Sequence, residues 1–191
     1  MSHLQRTCLV LVLDAATITL AVADERVDVH GIGQSKTTPE WNYVITHGMG
    51  GMAEGDRFEQ LAKAIKSAHP DSNVYLLKWN NDARAKWPWV VARAISSVAS
   101  AGTKQLRELR VAPQRMTLIG ESFGNNVNVG IAAQLGPVAR MLALNPANEL
   151  GGGGRIDLTQ HCDLAWAFHS QSAFDTHQPV SLRGVLVQPP R

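Results

Sequence analysis

The chain has 191 residues, enough for one domain with a sizeable core and too few for two. At 45% hydrophobic and 18% charged, with Gly151-Gly152-Gly153-Gly154 as its one low-complexity tract, it has the composition of an ordinary globular protein. A net charge of +2 and the absence of a basic run do not point to nucleic acid or an anionic membrane as partner.

Taken from the amino terminus, Arg6 precedes the apolar residues 8–13, and small and apolar residues continue to Ala23 with Asp14 as an interruption. Ala21-Val22-Ala23 reads as an A-x-A cleavage site, so residues 1–23 are expected to be a secretory signal and residues 24–191 a single secreted or periplasmic domain. The alternative is a buried first strand. No apolar run is long enough to span a bilayer. Removal of the signal takes Cys8 away and leaves Cys162 alone, which excludes an intrachain disulfide. A lone cysteine reads as a small buried hydrophobe rather than a nucleophile.

Val27-Asp28-Val29 is at most a short edge strand. Trp41-Asn42-Tyr43-Val44-Ile45-Thr46 is aromatic and β-branched and predicts a strand that stops at His47-Gly48, before the glycine-rich Gly48-Met49-Gly50-Gly51. Phe58, Leu61, Ala62 and Ile65 recur at helical spacing, and His69-Pro70 ends that helix. Residues 73–79 predict the next strand and residues 80–86 a polar loop. Pro88 suits the first turn of a long helix whose inner face carries Val91, Ala94, Ile95, Val98, Leu106 and Leu109, with Gly102 as a break or kink. Residues 116–119 predict a strand, Val127 and Ile131 the inner face of the helix after it, and Gly136-Pro137 the end of that helix. Strands follow at residues 141–144, 164–168 and 184–187. Strands alternating with amphipathic helices make an α/β domain, a mostly parallel sheet with helices on both faces.

Function in such sheets gathers at the carboxyl ends of the strands. There the chain places Gly120-Glu121-Ser122-Phe123-Gly124, an apolar strand entering and a helical segment leaving, which is the layout of a nucleophile elbow. Glycines two before and two after the serine allow a turn too tight for side chains. Acyl transfer needs that serine, N–H donors for the oxyanion and an imidazole to move the proton. Met49 in the glycine-rich loop and Phe123 after the serine are the candidate donors. The Gly120/Gly124 pair lacks the Lys-Ser/Thr of a phosphate loop, and the histidines show no compact metal-binding spacing, so no cofactor or metal is expected. Trp79, Trp87 and Trp89 surround the loop before the long helix, where core and rim packing or contact with lipid would equally explain them.

Taken together, Tyr43-Val44-Ile45-Thr46-His47-Gly48, residues 73–79, the helix opening at Trp87, the elbow and Ala143-Leu144-Asn145-Pro146-Ala147 resemble the pancreatic-type lipase family of α/β-hydrolases, in collinear order over roughly residues 40–150. The resemblance implies a secreted serine esterase acting on ester or lipid substrates, with Ser122 as nucleophile and Met49 and Phe123 as oxyanion donors. The chain departs from the family's pattern at three places. Glu121 stands where the family commonly has histidine, beside the nucleophile. Asn145 stands where the family has the aspartate of its triad, and an amide cannot stabilise an imidazolium electrostatically. No histidine follows His177, so the carboxyl-terminal end reads as incomplete, and no insertion is long enough for a large lid. His169, at the end of a strand, and His177 are the candidate bases, with Glu149 or Asp175 as replacements for the acid. Two readings follow: a serine hydrolase cleaving carboxylic esters, or a catalytically degenerate relative that binds a lipid or protein partner.

Overall fold

The computed structural model describes residues 26–35, 38–51, 56–147, 157–170 and 182–187. The expected signal at residues 1–23 lies outside them. Runs of Val, Ile, Leu and Tyr become strands because both their faces are covered. They form a seven-stranded sheet of β1 (Asp28–Gly31), β2 (Asn42–Thr46), β3 (Asn73–Lys78), β4 (Met116–Glu121), β5 (Val138–Leu144), β6 (Cys162–Ser170) and β7 (Leu182–Val187). Their spatial order is β1-β3-β2-β4-β5-β6-β7. From β3 to β6 neighbours run parallel, and β1 and β7 close the two edges antiparallel.

Register sorts the side chains into rows. Leu76, Ile45, Ile119, Leu142 and Trp166 align across five strands on one face, and Tyr75, Val44, Leu118, Met141 and Ala165 align on the other. On the first face lies α1 (Arg57–Ala68), started by Asp56, whose carboxylate accepts the N–H groups of Phe58 and Glu59. Its Phe58 and Ala62 pack with Ile45, Val74, Leu76 and Ile119. Beyond α1 this face borders an apolar cavity of about 410 Å3, lined among others by Leu61, Ile119, Leu142, Leu144 and Trp166. The second face is covered by α3 (Pro88–Glu108) and α4 (Gly124–Leu135), which bury Val91, Val98, Leu106, Val127 and Ile131. Each such side chain contributes roughly 1.5–3 kcal/mol by leaving water.

The predicted elements are all present, with longer strands at β4, β5, β6 and β7 than the apolar runs alone suggested. Three expectations are corrected. Leu109, expected on the inner face of the long helix, follows its last residue and is exposed. Residues 80–86 hold a short helix, α2 (Asn80–Ala83), because Ala83 is fully buried and its N–H reaches back to Trp79 O at 3.0 Å. Gly102 does not interrupt α3: a Cβ there would come within 2.8 Å of Leu77 Cδ1, so the glycine lets the helix lie close on the sheet.

Candidate active site

The turn from β4 into α4 leaves no room for side chains at either flanking glycine. Ser122 has φ 50°, in the left-handed region, which costs a serine of order 1–3 kcal/mol and persists only when the surroundings enforce it. The enforcement is visible. Ser122 N–H donates to Leu144 O at 2.9 Å, and Asn125 Nδ2 donates to Ser122 O at 3.0 Å and Leu144 O at 3.3 Å. The flanking glycines are required by contact. A Cβ on Gly120 would sit 2.6 Å from Asn125 Oδ1, and one on Gly124 would collide with Thr46 O and lie 2.7 Å from His47 O. The elbow is wedged between β2 and β5.

Across from it, the loop after β2 is clamped by a buried histidine. His47 Nδ1 donates to Gly48 O at 2.8 Å, and its Nε2 accepts Trp79 N–H at 3.1 Å. Trp79 Nε1 donates back to His47 O at 2.8 Å, and the two rings stack at 5.5 Å. Burial lowers the pKa of His47 to about 4, so the imidazole is neutral at physiological pH, with the single donor and single lone pair these bonds use. With both nitrogens engaged, His47 holds the loop and is not available as a base. Gly48 has no room for a side chain: a Cβ would lie 2.7 Å from Ser122 Cβ. Gly50 N–H donates to Ala83 O at 2.8 Å and fixes the far side of the loop. Among the described residues, the N–H groups of Met49 and Phe123 take part in no hydrogen bond.

Glu121, the departure beside the nucleophile, belongs to this loop as much as to the elbow. Its Oε2 accepts Gly48 N–H at 3.1 Å and its Oε1 lies 3.7 Å from Arg57 Nη2. Burial raises its pKa, opposed by the Arg57 charge and the Gly48 bond. The carboxylate thus bridges β4, the glycine-rich loop and α1.

The proton-transfer candidates are placed less completely. Asn145, at φ 44°, follows the last residue of β5 and donates its N–H to Phe168 O at 2.7 Å, so it stands beside the elbow on the carboxyl edge. His169 lies at the carboxyl end of β6, on the same edge, opposite Arg183 of β7 in the ladder. His177, Glu149 and Asp175 lie outside the described residues. His161 is on the wrong side: its carbonyl accepts the N–H of Val138, the first residue of β5, at the amino edge. His30 sits on edge strand β1, and His69 stacks on Tyr43 near the amino end of β2. Cys162 is buried, donates to Leu158 O at 3.2 Å and is pushed up to about 11 by burial, so its thiol stays protonated. Among the described residues no cluster of His, Cys, Asp or Glu could hold a metal ion.

The sequence reading missed three supports of this site: the His47–Trp79 clamp, the Asn125 side chain and the Glu121–Gly48 bond. Only the unusual residue before the serine gave any signal of the last.

A mostly parallel sheet with a serine on a strained turn at the carboxyl end of a central strand defines an α/β-hydrolase-like fold. Within that class, the family model for palmitoyl protein thioesterase matches residues 42–172, well over half of the chain, and the chain belongs to that family. The match keeps the expected class and names the palmitoyl protein thioesterases rather than the pancreatic-type lipases. Among solved structures, esterase PE8 is similar with a TM-score of 0.50 at 14% identity, over 63% of this chain and 64% of that one. An esterase/lipase from an uncultured bacterium has a TM-score of 0.45 at 15% identity, over 66% of this chain and 46% of that one. The chain therefore spans less than two thirds of either protein. No curated protein matches it in sequence.

Proposed function

We propose that the protein is a serine hydrolase that cleaves the ester or thioester bond of an acylated substrate. Ser122 Oγ attacks the acyl carbonyl, and the oxyanion is held by the Met49 and Phe123 N–H groups. The serine proton passes to an imidazole, His169 or His177, and from there to the departing alkoxide or thiolate. Water then hydrolyses the acyl-enzyme and restores the serine. The observation that carries this reading is the left-handed Ser122 held between β4 and α4 by bonds from β5 and Asn125. Membership of a thioesterase family makes a fatty acyl thioester the first substrate to try, and the lipase-like motifs make a carboxylic ester the second.

Asn145 favours the second reading, a degenerate member that keeps the elbow and binds an acylated or protein partner without turnover. A fluorophosphonate reagent separates the two, because it labels only an activated serine. The hydrolase reading expects labelling that Ser122→Ala abolishes, with hydrolysis of a long-chain acyl thioester lost in parallel. Folded protein that gives no Ser122-dependent labelling sinks it. Export to a secreted or periplasmic location is part of the same proposal; it rests on residues 1–23, and amino-terminal sequencing of protein recovered outside the cytoplasm tests it.

A further inference from the structure

Three of the large apolar side chains most exposed among the described residues are neighbours. Trp87 is 51% exposed, Trp89 52% and Val90 43%, at the start of α3. The two indoles stack with centroids 4.8 Å apart, and Lys86 Nζ lies 5.7 Å from the centre of the Trp87 ring. Because α3 follows β3 through α2, the patch lies on the carboxyl edge of the sheet, the edge that carries Ser122. The Gly50–Ala83 bond ties it to the loop bearing the exposed Met49.

Along the chain, the charge between Asp82 and Glu108 is one-signed. Residues 83–107 contain Arg84, Lys86, Arg93, Lys104 and Arg107 and no Asp or Glu, and Arg84, Lys86 and Arg93 are exposed. The net charge of +2 conceals this, because the acids lie elsewhere in the chain. The amino end of a 21-residue helix adds the positive end of its dipole. Indole rings are apolar bodies with one polar N–H and settle at the boundary between hydrocarbon and headgroup. Cations flanking such residues add attraction to anionic headgroups. With no acidic residue among positions 83–107, the surface these indoles and cations complement is an apolar layer edged by negative headgroups.

We propose that Trp87, Trp89 and Val90, flanked by Arg84, Lys86 and Arg93, seat the protein on an anionic lipid surface with the carboxyl edge of the sheet turned toward it. This inference does not depend on the hydrolase reading. It is tested by sedimentation of the protein with vesicles of phosphatidylcholine alone and of phosphatidylcholine with phosphatidylserine. Wild-type protein is expected to pellet with the anionic vesicles, less with the neutral ones, and less as salt rises. Replacing both tryptophans by alanine lowers the partition at least about tenfold, and Lys86→Gln lowers it about fivefold on anionic vesicles alone. Ser122→Ala protein binds as wild type does, so a failure of catalysis leaves the surface standing. Wild-type protein left in the supernatant, equal binding to both vesicles, or undiminished binding by the double variant overturns the proposal. Should the double variant unfold by circular dichroism, quenching of wild-type indole fluorescence by brominated lipid decides, and an unquenched signal is negative.

Discussion

The ends of β4 and β6 lie on the same edge of one sheet, two strands apart, yet they are built in different ways. Around the end of β4 the chain is interlocked: Gly124 touches β2 backbone, Ser122 and Asn125 bond to the end of β5, and Gly48 bonds to Glu121. The end of β6 is held by its ladders to β5 and β7 and by the Asn145–Phe168 bond. The difference teaches where strain can be kept. A serine at φ 50° is kept by the bonds and contacts around it, while His169, the described candidate to move a proton, stands at a strand end.

The largest way to break this comparison is Ser122→Ala. It should lower kcat by at least about ten-thousand-fold, measured with a long-chain acyl thioester, and leave the melting temperature unchanged or higher, since alanine loses the reaction and no packing. A wild-type rate in that variant would place the chemistry elsewhere. Next, Gly124→Ala tests the interlocking itself. Its new methyl meets Thr46 O, and a loss of about 4 kcal/mol or more in urea unfolding is expected. A loss below about 1 kcal/mol would mean that the elbow relaxes and is not enforced.

His47 provides a pH test of the loop. Its folded pKa, about 4, lies below the unfolded value of 6.5, so the unfolded state binds the proton first. The stability it confers is whole above pH 6.5 and is lost as pH falls towards 4, about 3 kcal/mol in all. His47→Gln should flatten the profile in that window while lowering stability at neutral pH. An unchanged slope would show that other groups set it. The smallest effect sharpens the other half of the site. Asn145→Asp should raise kcat/KM by about tenfold or more if the end of β5 is where an acid serves the base, with little change in folding. No gain would assign that task to a residue beyond β6.

Much of the fold was legible because its signals are local. The strand runs at residues 41–46 and 73–79, the helical spacing of Phe58, Leu61, Ala62 and Ile65, Pro88 at a helix start and Gly136 at a helix end act through their own backbone or nearest turns. The elbow was legible for the same reason, as two glycines and a serine at fixed spacing describe one turn. The family within the α/β-hydrolase class was less so, since motifs shared across a fold do not separate its branches.

What needed the tertiary structure was every property set by a residue far along the chain. Gly102 looked like a break and serves as a contact, because Leu77 lies against it. His47 looked only like the point where a strand stops and is a buried clamp, because Trp79 closes over it with two hydrogen bonds. His161 follows the serine in sequence and lies at the opposite edge, because parallel strands return each chain segment to the amino side before the next strand begins. The net charge hid the cationic stretch beside Trp87, because a sum over the chain does not record which residues share a surface. Taken alone, the sequence placed a serine on a tight turn between a strand and a helix. The packing of β2, β5 and the Gly48 loop around that turn decided that it could be held there, since, beside the local Asn125 bond, the contacts that hold it come from Leu144, Thr46 and Gly48, all distant in sequence.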